Sequence, residues 1–278
     1  MAMKSKRRGP VGAFLLAAFL VMGGVAEGEE ASLRAEELRY DPAFQQIRAQ
    51  GDVVLRKGGM AFDAQEAEGF LAEGRYRLWG GVRGRSEERN VDVEAESLSY
   101  REEGGLEVVA EGAVSFRRGD DELRCARLLW RESGLLHATG GVEAFSGPRA
   151  VEADEGRFDG DAFRITGLKR YEDAQSGLFF RAAVVEGKLK GGVVVEVTAS
   201  GSVEARLTGA DGGTLRIVGA KALYSQARGT LVVSGSAVAR QGERTLRADS
   251  LVLHLASRRI EALGSPKITF SLPERGTP

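Results

Sequence analysis

The sequence predicts an all-β chain, an elongated, solenoid-like stack of about sixteen short antiparallel strands in two sheets. Three observations predict it. Five stretches place apolar, small, small and apolar residues two apart: Ile47-Ala49-Gly51-Val53, Val108-Ala110-Gly112-Val114, Leu136-Ala138-Gly140-Val142, Val197-Ala199-Gly201-Val203 and Val232-Ser234-Ser236-Val238. A spacing of two puts all four on one face of a strand, and the small residues leave that face without bulk at its middle. The chain holds 38 Gly and only 6 Pro, and no long apolar stripe of helical period appears in it. Apolar anchors recur at Val53, Val82, Val114, Val142, Leu168, Val203, Val238 and Ile268, a rhythm of tens of residues that marks repeat architectures.

The amino terminus stands apart from this pattern. Lys4, Lys6, Arg7 and Arg8 precede an apolar, uncharged run from Val11 to Val25, and Gly24 and Ala26 supply a small-x-small cleavage site. Residues 1–26 read as a cleaved secretory signal peptide; an uncleaved anchor is the alternative, although the run is short for a spanning helix. Cleavage leaves 35 Lys and Arg against 40 Asp and Glu, a net charge of −5. A mildly acidic surface argues against nucleic acid or an anionic membrane as the main partner. Cys125 is the only cysteine, so the chain holds no internal disulfide and depends on its own core; alternating with Leu123, the thiol is expected buried and inert.

The repeats follow in order. Ala35, Leu38 and Tyr40 lead through a turn into Ile47 to Leu55, and Ala95, Leu98 and Tyr100 lead through Arg101 to Gly105 into Leu106 to Phe116. Leu128 and Trp130 lead into Leu136 to Ala144. Tyr224, Gly229, Val232 and Val238 align with Tyr100, Gly105, Val108 and Val114 without a gap. The last copy is degenerate, with Pro266 where a small residue is expected, which suits an edge strand. The organisation expected is a first half over 27–168, a polar joint at 169–177, a second half over 178–271 and a tail over 272–278. With the strands divided between two sheets, eight levels at roughly 4.8 Å give a rod of about 40 Å.

No catalytic or metal-binding constellation emerges. His137 and His254 are far apart and show no metal-ligand spacing, and the acidic groups Asp120-Asp121-Glu122 and Asp154-Glu155 read as solvated turns. The Gly-Gly pairs beginning at residues 58, 80, 104, 140, 191 and 212 open no phosphate-loop motif and read as turns or close strand approaches. The expectation is a protein without catalytic residues, metal or cofactor.

Two motifs carry a resemblance: Ala35-Glu36-Glu37-Leu38-Arg39-Tyr40 and Ala49-Gln50-Gly51-Asp52-Val53-Val54-Leu55, which returns to Phe62-Asp63-Ala64 and recurs at Ala95 to Phe116 and Ala199 to Val203. In these the chain resembles the OstA-like family of periplasmic lipopolysaccharide-transport proteins over most of residues 31–271. The resemblance implies a V-shaped, partly open β-jellyroll whose apolar groove shields acyl chains and whose modules stack end to end through edge strands, bridging inner and outer membranes. It implies a soluble periplasmic bridge, with an inner-membrane-tethered subunit as a further option. Its expected partners are lipopolysaccharide, other OstA-like modules and further copies of the chain. The groove expected is lined by Val53, Leu55, Val82, Val114, Phe116, Val142, Val203 and Val238, with Arg56, Lys57, Arg117 and Arg118 at the head-group rim. A self-assembling structural or adhesive β-solenoid with a dry interior is the competing expectation.

Overall fold

The computed structural model describes residues 31–270 apart from 58, 88–89, 103, 192 and 210–212. The expected signal peptide and tail lie outside the described residues. Eighteen strands form one antiparallel sheet, with a single 3-10 turn at Leu71–Glu73 among the described residues. In chain order they are β1 (Ser32–Arg34), β2 (Glu37–Asp41), β3 (Gln46–Lys57), β4 (Met60–Phe70), β5 (Arg75–Ser86), β6 (Val91–Arg101), β7 (Glu107–Arg118), β8 (Asp121–Arg131) and β9 (Leu135–Ser146). They continue as β10 (Arg149–Asp159), β11 (Ala162–Asp173), β12 (Leu178–Lys190), β13 (Val193–Thr208), β14 (Thr214–Ser225), β15 (Thr230–Gln241), β16 (Arg244–His254), β17 (Ile260–Leu263) and β18 (Lys267–Thr269).

From β3 to β16 each strand pairs with the next, an uninterrupted meander. At each end the edge rung is broken in two. β1 and β2 share β3, and β17 and β18 share β16. Among the described residues no strand joins the first rung to the last, so the sheet is open rather than a closed barrel.

The strands are not short, and this corrects the expected dimensions. Those from β3 to β16 run 11 to 16 residues, because each passes through both arms of the folded sheet. Sixteen rungs therefore stack in each arm, and at about 4.8 Å per rung the sheet extends roughly 70 Å rather than 40 Å.

The fold line explains the small residues. At the middle of most odd-numbered strands two consecutive residues take left-handed backbone angles: Gly51 and Asp52 in β3, Gly112 and Ala113 in β7, Gly201 and Ser202 in β13, Gly235 and Ser236 in β15. Registers show the consequence. Glu111 opposes Arg127 while Val114 opposes Cys125, so β7 carries one residue more than its neighbour at this point. An extra residue in one strand of an antiparallel pair is a β-bulge, which bends the strand. Stacked bulges crease the sheet along its length into two facing arms. On the even-numbered strands the crease breaks the two-residue period: Ala95 and Leu98, or Ala248 and Leu251, face the interior although they are three apart.

The core lies between the arms. Leu78, Val53, Val82, Val114, Val203, Ile217, Val233, Leu251 and Leu253 are all essentially inaccessible. The polar segment expected to be a joint is strand and turn: residues 169–173 complete β11, 174–177 turn, and Asp173 opposes Leu178 in register. Its polarity belongs to the outward face and the turn, while Leu168, Tyr171 and Asp173 face inward at half-burial or better.

Candidate functional site

The interior face of the crease is the only continuous apolar surface the described residues create, and its filling varies along the sheet. At the amino-terminal rungs it is packed shut. Val53, Leu55, Val82, Val114 and Phe116 all point inward and are buried, together with Leu78 and Leu98. The arm tips also touch there. Lys57, at the end of β3, lies over Tyr100 and Tyr76 of the opposite arm at 4.7 and 5.1 Å and pairs with Glu102. Tyr100 Oη donates to Glu102 Oε1 at 2.6 Å. Burial and that bond push the Tyr100 phenol up, so it remains a donor.

Toward the carboxyl end the interior is filled again, by Ile217, Val233, Leu251 and Leu253. Between these plugs, from β8 to β15, the arms enclose a cavity of about 190 Å³. Its walls come from both arms: Leu136, Phe158, Phe163, Val185 and Val197 on one, Val142, Val151, Leu168 and Phe180 on the other. One cause of the opening is a single residue. Where β6, β8 and β16 place Leu98, Leu128 and Leu251 three residues past the crease alanine or cysteine, β10 places Gly156. A Cβ there would meet only Phe158, at 3.8 Å, and Gly156 is not left-handed, so its smallness serves space rather than backbone geometry.

The residues expected to line a groove separate into three groups. Val142 lines the cavity. Val53, Leu55, Val82, Val114, Phe116 and Val203 share its face but are packed into the closed stretches of the same interior. Val238 does not belong with them. Ala237 and Ala239 beside it are the buried pair, and Val238, opposite Val218 and Arg247, stands half-buried on the outer face. The gapless alignment placed the crease of β15 one position late. The crease glycine is Gly235, and a slip of one residue exchanges the faces of a strand.

The four rim cations all stand at strand ends of one arm, but face two ways. Lys57 and Arg118 continue the inward face of Leu55 and Phe116, and Lys57 is already engaged by Glu102. Arg56 and Arg117 face outward, and Arg117 holds Glu122 at 3.0 Å. They border a polar recess of about 950 Å³ shared with Arg83, Arg85, Asp63 and Asp92.

Sequence reasoning missed two polar groups of the structure. On the outer face Glu204 is 2% exposed beneath Arg181, Arg206 and Arg216, whose nearest contacts are 2.6, 2.6 and 2.7 Å. Hydrogen bonds from Arg216 and Arg206 outweigh burial and hold its carboxyl down at about 2. At the mouth of the cavity Arg149 reaches Asp173 at 3.5 Å. Alternation with charged neighbours was the available signal for both, but the inward and outward parity could be read only once each crease was placed. Cys125 is buried as expected, and burial pushes its thiol up to about 11. Among the described residues no group of three or more His, Cys, Asp and Glu side chains is placed to hold a metal ion.

No family model matches the sequence, and no curated protein matches it. Among solved structures the chain is similar to LptH, described as the LptA homologous periplasmic component of the conserved lipopolysaccharide transport device from Pseudomonas aeruginosa. The identity is 12% and the TM-score 0.27, over 66% of this chain and 97% of that one.

Proposed function

We propose that this chain is a non-enzymatic carrier that shields lipid hydrocarbon between the two arms of its creased sheet. The cavity between β8 and β15 carries this reading: its walls are aliphatic and aromatic, and Gly156 leaves it unfilled. Interiors normally pack to crystal density, and an apolar void of roughly 150 Å³ is known to stay dry and admit a hydrocarbon. A volume of about 190 Å³ accommodates part of one acyl chain. Longer or multiple chains require the arms to part along the cavity, while at the amino-terminal rungs Lys57 holds them together. Each methylene moved out of water contributes about 0.8 kcal/mol, enough to drive such an opening within a few carbons.

The OstA-like resemblance supplies the finer reading: lipopolysaccharide as cargo, a periplasmic location after signal-peptide cleavage, and end-to-end joining with like modules. The ends support joining. Leu38 and Tyr40 at one edge and Ile268 and Phe270 at the other are large apolar residues about half exposed, beside unpaired strand edges. The first rung enters its crease on Ala35-Glu36 and the last leaves on Gly264-Ser265, so one copy laid against the next continues both the antiparallel order and the crease. Edge-strand addition of this kind uses main-chain hydrogen bonds.

The test places a photo-crosslinking residue at Val142, on the cavity wall, and at Val238, on the outer face, in cells. A lipid adduct at position 142 and none at 238 is the expected result. Absence of lipid at 142, or equal labelling at both, rejects the carrier and leaves the dry structural solenoid.

A further inference from the structure

We infer that Arg149 and Tyr171 form an anion site at the mouth of the cavity, which holds the carboxylate or phosphate of an amphiphile whose hydrocarbon enters the apolar interior. The inference rests on the carrier reading and adds to it the chemistry of the head group and the residues that meet it.

Both side chains line the cavity, and with Tyr224 they carry the polar groups of its lining. Arg149 opens β10 and Tyr171 lies near the end of β11, so both stand at the tip of one arm, where hydrocarbon and water would meet. Arg149 is unusually enclosed for an arginine, with its side chain 17% exposed. Tyr171 Oη is buried beside the Arg149 guanidinium, a donor, and its O–H meets no acceptor. Buried polar groups in native proteins are nearly always satisfied, so an O–H that meets no acceptor at a cavity mouth points to an acceptor that arrives with the ligand.

Asp173 does not fill that role. Its Oδ1 accepts the backbone N–H groups of Gln175 and Ser176 at 3.0 and 3.3 Å, which turn the chain toward β12, and its Oδ2 faces Arg149 Nε at 3.5 Å. That contact fixes the guanidinium from one side. A guanidinium has five N–H donors in a planar fork, so it can hold Asp173 and address a second anion bidentately. Beneath it the wall is hydrocarbon, from Val151, Phe158 and Leu168. One charged head above one greasy pocket describes a single-chain anionic amphiphile, or one acyl chain and one acidic group of a larger lipid.

The experiment loads the full mature chain with a neutral fluorescent hydrocarbon probe, N-phenylnaphthylamine. It then compares displacement by palmitate, hexadecyl phosphate and hexadecanol at neutral pH. The two anions are expected to displace the probe at about tenfold lower concentration than the alcohol, the worth of one charge-assisted hydrogen bond. Whichever anion is the stronger assigns the head as carboxylate or phosphate. In R149M the anion-to-alcohol ratio falls to within about twofold. In Y171F, which keeps the ring and the fold, it falls about threefold. Equal potency of acids and alcohol on the natural chain overturns the anion site and leaves the hydrocarbon trough standing, as does an anionic preference that survives both substitutions. Failure of the probe and all three amphiphiles to bind overturns the carrier reading itself.

Discussion

At the scale of single residues, the two most informative positions are one that is over-filled with charge and one that is left bare. Glu204 collects three arginines on a sheet face where Arg206 and Arg216 stand directly opposite each other. Like charges at directly paired positions repel, and the single carboxylate removes that cost. Glu204→Gln is expected to destabilise the protein by about 2 kcal/mol at neutral pH, the scale of charge-assisted bonds to a buried group. Because the folded carboxyl sits near 2 and an unfolded one near its ordinary value, this contribution is full above the ordinary carboxylate range and fades as pH falls toward 2. Denaturant unfolding of both proteins should therefore diverge at neutral pH and converge in acid; a constant difference across that range rejects the assignment. Gly156 is the opposite case. Gly156→Val places a β-branched residue in a strand interior with room for it, so it should raise stability by about 1 kcal/mol while abolishing hydrocarbon binding. A stabilised variant that still binds lipid would place the cargo elsewhere.

At the scale of elements, the crease decides the fold, and its chemistry repeats from hairpin to hairpin. A glycine of each odd-numbered strand is covered by the side chain of the preceding even-numbered one: Gly80 by Gln65, Gly140 by Ala126, Gly201 by Ala183, Gly235 by Ala220. A Cβ on those glycines would come within 2.5 to 2.7 Å of the covering residue. Gly140, with φ +81°, lies against the fixed Cβ of Ala126, whereas Gly104, with φ +77°, has open space around it. The two separate backbone strain from steric conflict. Gly104→Ala should cost about 1 kcal/mol, the left-handed penalty alone, and Gly140→Ala about 2 kcal/mol or more. Thermal unfolding of the two variants checks the order, and equal losses would mean that the covering row contributes no constraint. The same element explains the misplaced Val238. Two positions before its crease glycine β15 carries Val233 rather than alanine, so an alignment by small residues matches Ser234 and Ser236 to Ala110 and Gly112, one position late.

At the scale of the whole molecule, sixteen stacked rungs depend on nearest neighbours, and nothing among the described residues caps the two ends. Arrays of this kind usually need polar terminal repeats for solubility. Here Leu38, Tyr40, Ile268 and Phe270 are left on show. Joined copies would bury them. Introducing charge at both edges, with Leu38→Lys and Ile268→Lys together, is expected to weaken self-association at least tenfold in sedimentation velocity without altering the far-ultraviolet spectrum. A natural chain that stays monomeric at high concentration would assign these edges to a different partner module.

What the sequence by itself determined is local and periodic: an all-β chain, the recurrence of hairpins, the inward set from Val53 to Val203, and the burial of Cys125. All of these follow from the two-residue period of a strand and from turn chemistry, which neighbouring residues dictate. Tertiary structure alone decided that each strand folds through both arms, because a bulge changes parity in a way that no single strand reveals. It also decided where the interior is empty. A cavity is a sum of side chains from eight strands, and Gly156 reads as one more glycine until Phe158, Phe163 and Val185 are seen standing around the space it leaves.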